Sequence, residues 1–454
     1  MSASPQPLIQ AGSKVSGIPP VFLRGQRFDP QRIRLTGQRW LIEYAGSNTS
    51  DAAVLWGDLP ASHGLYTPLL FDPETNSVLG QRCFDWWAQP FEKLFSNTKR
   101  TDSVVRLERL RMADQWIVLN TLDDLFGHSL LLLLNAEYYL EHFPGFGLIV
   151  VISPNLRRYV PQGVAEIWEL QGPARDTVLW HESLDQLFAQ RCGSGPTFVA
   201  IGLSLPAPSN YHLERFQLGP AASDTSRTPE APVIMFIYRG SRLWGGTWRS
   251  EQRRLQRLGR WLRDLWPGVK LRIYGHARLP AAVPGWEDRT RREEPDYDAA
   301  LIAALRDADL VLGAHGSSML IPTAVARLVL ELVPLDKHAS LLQDCLFNEQ
   351  HLGWREHFWR LRFLYGNGTM TDIYPLQVAR MINAMISGSR HFHLYQATAW
   401  DEPERMDLLA RSRFFEAEVL PGMEAWKARL QKTDRIPWPS RFWQWLRRMA
   451  GEWD

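Results

Sequence analysis

The chain has few cysteines and few lysines. Its three cysteines, Cys83, Cys192 and Cys345, are odd in number and far apart, and no Cys-x-x-Cys pair occurs. Neither a disulfide framework nor a thiolate zinc site is therefore indicated. Lysine occurs only seven times, so arginine carries almost all the positive charge. Planar anion recognition favours that bias, and GC-rich coding produces it as well. Long hydrophobic runs are also missing: the longest aliphatic stretch is Leu130 to Leu134, against the ~20 residues that span a bilayer. Met1 to Pro20 is rich in Pro, Ser and Gly and has no basic-then-apolar signal. It reads as a flexible lead. A net charge of +2 gives no reason to expect a nucleic-acid partner. The resulting expectation is a soluble cytoplasmic protein, with peripheral contact at the inner face of the membrane left open.

What is present suffices for two ordinary domains with extensions: 454 residues, 45% hydrophobic and 22% charged. The stretch that organises the rest is Asp309 to Pro334. Leu310, Val311 and Leu312 read as a buried parallel strand. Gly313 to Gly316 break the pattern, with His315 between glycines. Ser317 and Ser318 can cap a helix running to about Ala326. Leu328 to Val333 then forms a second strand, closed by Pro334. In such a βαβ unit the helix N-terminus offers free N–H groups to an anion, and a diphosphate suits it.

Taken in order, residues 1–104 form an extension of strands and loops. Trp40, Trp56, Trp86 and Trp87 are scattered there, and the Trp pair could stack on a sugar although burial is the commoner fate of such residues. Residues 105–205 alternate strands with helices and predict a parallel α/β sheet. Its strands fall at Trp116–Asn120, Gly147–Ser153, 167–170 and 197–203, with a long apolar helix from Ser129 to His142. The Pro- and Ser-rich stretch 206–232 reads as a linker. Residues 233–400 make a second α/β domain, opening on strand 233–238. A helix capped by Ser250 follows, with Leu255, Leu258, Leu262 and Leu265 on one face. Residues 339–385 look largely helical, with Trp354, Trp359 and Tyr365 in the core, and 401–454 form a helical tail.

The Gly-x-His-Gly-small-small pattern, followed by an apolar helix and Val-x-Glu-Leu-x-Pro, resembles the signature of glycosyltransferase family 61. The match runs from Ala308 to Pro334, though Ile321-Pro322-Thr323 replaces the Phe-Met-Pro-Pro-Gly-like turn of that family. More loosely it covers residues 105 to 335, where His128 matches a His at the start of a Leu-rich helix. The resemblance implies two Rossmann-like domains in a GT-B arrangement with the active site in the cleft between them. It also implies an inverting, metal-independent transfer from a nucleotide diphosphate sugar, UDP-linked by expectation, with no cofactor. The acceptor would be a glycan or lipid-linked polysaccharide of the capsule or cell surface.

Such a transfer needs a base for the acceptor hydroxyl, donors for the leaving diphosphate, and groups that hold the nucleoside. His128 leads as the base, because an imidazole takes a proton near neutrality. Asp123, Asp124 and Glu137 are its rivals, Asp124 foremost, and a His that caps its own helix is the bland alternative. For the diphosphate the expected contacts are Gly313, His315, Gly316, Ser317 and Ser318. Arg239 and Arg242 join them from the loop after strand 233–238, on the same sheet edge. Glu331, a carboxylate in an apolar strand, must be paired: it either accepts from ribose hydroxyls or bridges to an arginine. Asp296-Tyr-Asp298 spells a DxD metal motif, but at a helix start it reads as a cap, and no metal site is expected. Between Arg239 and Arg292 there are fourteen basic and four acidic residues. That patch can attract a polyanion or anionic lipid. The tail places Phe442, Trp443, Leu446 and Trp453 among Arg441, Arg447 and Arg448, a pattern suited to a membrane surface or to docking on the protein itself. Two rival functions remain: a GT-B transferase using another nucleotide, and a GT-B-like subunit that binds glycan or a partner without turnover.

Overall fold

A computed structural model describes residues 8–11, 15, 18, 20–23, 26–46, 54–59, 69–79, 89, 91–92, 94–95, 103–172, 178–200, 212–218, 230–275, 277–290, 297–337, 345–346 and 360–400, the side chains of 54–59 and 389–400 excepted. Met1–Ser389 form one compact unit and Arg390–Asp454 another. All three sheets lie in the first unit. Trp56 (its side chain), Trp86, Trp87, Trp354, Trp359, Asp296 and the tail 401–454 lie outside the described residues.

Strand β1 (Leu8–Ala11) is followed by an antiparallel meander of β2 (Val21–Leu23), β3 (Gln26–Leu35), β4 (Trp40–Gly46), β5 (Val54–Leu59), β6 (Leu70–Asp72) and β7 (Ser77–Leu79). The expected β-rich extension is thus a sheet of its own. Part of the expected flexible lead is not a lead: β1 pairs antiparallel with a strand of the next sheet, and Ile9 and Ala11 are buried there. Its alternation of buried and exposed residues is what an edge strand requires.

The first α/β sheet contains β8 (Val105–Arg109), β9 (Trp116–Asn120), β10 (Gly147–Ile152), β11 (Glu166–Leu170) and β12 (Thr197–Ala200). Its order is β1-β12-β9-β10-β11-β8, with β12, β9, β10 and β11 parallel and an antiparallel strand at each edge. Every residue of β9, β10 and β11 is buried, as covering both faces of a parallel sheet demands. Trp116, Val118, Ile149 and Val151 pack with Trp40, Ile42 and Tyr44 of the meander, while Ile117, Leu119, Leu148 and Val150 face the helices.

Those helices are α1 (Phe126–Leu134) and α2 (Ala136–His142), two pieces where one helix was expected. At the break, Asn135 Nδ2 donates to the carbonyls of Leu131 and Leu132, so its side chain competes for backbone acceptors. Helix α3 (Glu182–Ser194) covers the opposite face through Leu184 and Phe188. The expected linker is partly structured too. A 3₁₀ turn at Leu213–Phe216 buries Leu213, Phe216 and Leu218, and buried Glu137 accepts from the backbone N–H of His212 and pairs with its ring. Glu137 is thereby an anchor and not a rival base.

The second sheet contains β13 (Val233–Ile237), β14 (Lys270–Tyr274), β15 (Glu287–Asp288), β16 (Leu310–Ala314), β17 (Val329–Pro334) and β18 (Leu361–Gly366). Its order is β15-β14-β13-β16-β17-β18, all parallel. Strand β18 stands where helix was expected, and Tyr365, 48% exposed, is not in the core. Helix α4 (Trp248–Leu265) starts two residues before the expected cap: Thr247 Oγ1 accepts from the Ser250 N–H. Helices α5 (Tyr297–Asp307), α6 (Leu320–Val325) and α7 (Pro375–Trp400) complete the described set.

Among the described residues the helices of the two sheets share one buried core. Leu130, Leu133 and Leu134 of α1 belong to one continuous buried cluster with Leu301 and Leu305 of α5 and Leu320 and Val325 of α6. All five residues from Leu130 to Leu134 are buried. A helix apolar all round must be covered on every side, and here the second sheet's helices supply part of that cover.

Candidate functional site

In an open parallel sheet, ligands bind outside the carboxyl ends of the strands where the strand order reverses. In the second sheet that point lies between β13 and β16, and the chemistry flagged in the sequence gathers there. The loop after β13 carries Arg239 and Arg242; the turn after β16 carries His315 to Ser318. Gly316 has φ +135, a backbone that side chains rarely adopt. A Cβ on Gly316 would collide with the Arg239 and Arg242 guanidinium groups, so both arginines are drawn onto this peptide. Arg242 Nη1 donates to the His315 carbonyl. Arg239 Nε donates to Ser241 Oγ at 3.2 Å.

His315 and Glu331 take other places than expected. Both are fully buried, and His315 Nδ1 donates to Glu331 Oε2 at 2.6 Å. Strand pairing aligns Gly313 with Glu331, so His315, two residues on and just past the end of β16, finds the carboxylate on the neighbouring strand. Neither side chain can contact a ligand directly while fully covered. Their pairing instead fixes the turn, whose carbonyl receives Arg242 and whose N–H donates to Leu332 O. It also bears on the Glu331 alternatives: His315 is a partner of the carboxylate. Gly313 lies within β16, where a Cβ would collide with Met319 Sδ, so it serves packing.

Ser317 and Ser318 do not cap. The turn Ser317–Met319 is 3₁₀, α6 has only six residues, and neither start has a side-chain cap hydrogen bond. Pro322 sits at the third position of α6, where no N–H is needed. So short a helix carries little dipole, and an anion here must rely on the arginines and turn amides. Although the Ser318 hydroxyl oxygen is itself buried, both residues line a cavity of about 460 Å³. Its other walls include Tyr238, Arg239, Ser241 and Ala277 of the second sheet's edge, Leu301 and Ile321 beside them, and Phe126 from α1.

Phe126 shows where the first sheet enters. Gly127 lies so close to the turn that a Cβ would stand 2.5 Å from Ser317 Cβ. Around it lie Asp123 and Asp124, in the loop after β9, and His128, in the first turn of α1. Asp123 accepts from the Leu125 N–H at 2.8 Å and lies 3.4 Å from His128 Nδ1. Burial pushes the Asp123 carboxyl up, but bonding and charge from His128, with the Leu125 N–H, outweigh it and hold it below its usual value. Asp124 is pushed up to about 6, first by lost hydration and then by its hydrogen bond to Asp123 and that neighbour's charge. These three are a turn away from the cavity and are not among its walls.

Behind the arginine loop, Glu251 is fully buried in the first turn of α4 and accepts from the Trp244 N–H at 2.9 Å. Burial pushes its carboxyl up to about 8, only partly offset by that bond. Nothing in the sequence singled it out, since acidic residues are routine in a first turn. Phe126 and Gly127 were missed as well; the only available signal was a glycine inside an apolar helix start.

Glu137, Glu141 and His212 bring ligand atoms within 4.8 Å of one another. Arg215 already reaches both carboxylates, at 3.6 and 3.0 Å, supplying the positive charge a cation would bring. A larger cavity of about 750 Å³ lies at the opposite edge of the first sheet, beside Ile117, Phe143, Leu148 and Arg215. None of the expected site residues reaches it. Of the DxD, Asp298 lies in the first turn of α5.

No family model matches the chain, and no curated protein matches it. Several solved structures are similar. The E. coli heptosyltransferase WaaC, determined with ADP, aligns over 60% of this chain and 100% of its own, with 11% identity and a TM-score of 0.38. A glycosyl transferase family 9 protein from Veillonella parvula aligns over 62% and 99%, with 11% identity and a TM-score of 0.38. The iron-containing dodecameric glycosyltransferase TibC from enterotoxigenic E. coli covers 86% and 98%, with 12% identity and a TM-score of 0.32. Likeness at this level leaves the functional reading to the site itself.

Proposed function

We propose that the chain is a glycosyltransferase that moves a sugar from a nucleotide diphosphate sugar, UDP-linked by preference, to a glycan or lipid-linked acceptor. The observation that carries this reading is that Arg239, Ser317 and Ser318 line one cavity at the strand-order reversal of a parallel sheet, next to a Gly316 that Arg239 and Arg242 crowd. Two guanidinium groups suit a diphosphate better than a neutral ligand. The apolar walls, with Phe126 and Tyr238, suit a nucleoside or sugar face.

In this reading residues 233–400 hold the donor, and residues 105–205 supply the acceptor side of a GT-B-like pair, as the resemblance to family 61 implies. The acceptor hydroxyl loses its proton to His128 or Asp124. Its oxygen attacks the anomeric carbon as the bond to the diphosphate breaks, giving inversion. Arg239 and Arg242 take up the charge that develops on the leaving oxygen, so that no metal is required for departure. His315 and Glu331 position the turn and do not touch the donor.

Thermal denaturation with UDP, GDP, CMP and dTDP, on the wild type and Arg239→Ala, tests this. A ligand at ~100 times its Kd adds about 2.7 kcal/mol of stability. One nucleotide should raise Tm, and Arg239→Ala should abolish the rise. His315→Ala is the wrong probe, because a buried side chain would be lost with the fold's stability. Stabilisation by no nucleotide would favour the second reading, a non-catalytic glycan-binding or partner subunit. The apolar cluster that the helices of the two sheets share, where the GT-B expectation places the acceptor site, is the observation on its side.

A further inference from the structure

The face of α4 that points away from the core has no assigned role. Leu255, Leu258 and Leu262 are fully buried on one side of this helix. Arg249, Arg253, Arg257 and Arg260 are all exposed. At 3.6 residues per turn the four fall within about 80° of one another, opposite the leucines, along roughly 16 Å of helix. The helix holds six arginines against two acidic residues, while the whole chain has a net charge of only +2. One of the two, Glu251, is buried on the core side; the other, Asp264, is exposed one turn beyond Arg260.

The arginines off this stripe have partners. Arg254 donates to the carbonyls of Ile373 and Thr371, and Arg263 to those of Gly259 and Gly285. The four in the stripe have no hydrogen-bond or ion-pair partner among the described residues. Like charges at successive turns repel, so the row costs stability unless something anionic covers it.

We infer that this stripe is a docking surface for an anionic membrane, with the guanidinium groups on lipid phosphates and Trp261 at the headgroup level. Three features favour lipid over a folded acidic partner. The row is straight and lies on a convex helix face, which fits a plane. It is built of arginine, whose planar fork matches phosphate. Beside its C-terminal end Trp261 stands 37% exposed, and an amphipathic indole prefers the membrane–water interface. The helix begins directly after the loop that carries Arg239 and Arg242, so the stripe starts at the sheet edge that holds the cavity. The inference does not depend on the reaction proposed there.

The test is co-sedimentation of the full chain with vesicles of phosphatidylcholine alone, or with about one-third phosphatidylglycerol. Each basic residue near an anionic surface contributes about fivefold, so changing all four arginines to Gln should lower partitioning on the order of a hundredfold or more. Changing all four to Lys should retain most of it, and added salt should weaken it. Trp261→Ala should cost a further few-fold. Nucleotide-dependent Tm measured on the Gln variant keeps the outcomes separate: an unchanged response shows a folded protein whose cavity is intact. Equal binding of wild type and Gln variant, or none by either, would overturn the inference. So would stripe-dependent retention on immobilised dextran sulfate without vesicle binding, which would assign the surface to an acidic polysaccharide.

Discussion

The two parallel sheets reverse their strand order in the same manner, yet their carboxyl edges carry opposite chemistry. At the first, Asp123 and Asp124 on the loop and His128 in the first turn of α1 are partly or fully exposed, and the two carboxyls are shifted in opposite directions. At the second, His315, Gly316 and Glu331 are buried, while Arg239, Ser317 and Ser318 line the cavity. One edge is suited to moving a proton, the other to holding an anion. The most conspicuous polar residues are thus not the ones a ligand meets: the buried His–Glu pair shapes the second edge from beneath.

The contrast breaks most visibly if the buried pair is cut. Removing one partner of a buried pair costs about 3–5 kcal/mol, so Glu331→Ala should lose that much in urea denaturation at neutral pH. His128→Ala, at a half-exposed site, should lose less than about 1 kcal/mol. Losses of similar size at both positions would remove the distinction.

Glu251 sharpens it through pH. Its carboxyl is pushed up to about 8 in the folded protein, against an ordinary 4.5. Between those values the folded chain binds the extra proton, so stability must fall as pH rises through the window, by a few kcal/mol in all. Glu251→Gln keeps the acceptor for the Trp244 N–H and removes the slope. Denaturation midpoints from pH 5 to 9 check this: the variant should gain on the wild type as pH rises. Next in size, Arg239→Ala should weaken nucleotide binding by about 1.5–3 kcal/mol, the worth of a charge-assisted bond, measured calorimetrically. Gly127→Ala, which forces a Cβ against Ser317, should cost about 1–3 kcal/mol from overpacking and disturb the same binding from the other sheet.

Much of this was legible because buried parallel strands are written as apolar runs. Leu310 to Leu312, Val233 to Ile237 and Gly147 to Ile152 needed no knowledge of their neighbours. The Gly-His-Gly turn was equally visible, but not the direction of its imidazole. That depends on β17 pairing with β16 so that Glu331 lies across from Gly313, a long-range register no local pattern states. Strand β18 was hidden because Leu361 to Gly366 alternates too weakly with Arg362 to separate from helix. The same holds for the interdomain space: the five leucines of α1 announce a buried helix, but not that α5 and α6 would help to bury it.

The smallest expected effect is on the first edge. The Asp124 carboxyl is pushed up to about 6, first by lost hydration and then by Asp123 beside it. If Asp124 takes the acceptor's proton, transfer should rise with pH through about 6 as its carboxylate forms. Asp123→Asn removes the neighbouring charge while leaving the lost hydration, so Asp124 should move only part of the way back toward 3.8, carrying the acid limb of the rate profile to lower pH by less than about two units. Asp124→Asn should abolish that limb's dependence on Asp123 altogether. A limb that ignores both substitutions but vanishes in His128→Gln would assign the proton to the imidazole and leave the two aspartates to orient it, the pairing at 3.4 Å between Asp123 and His128 Nδ1 being suited to that task.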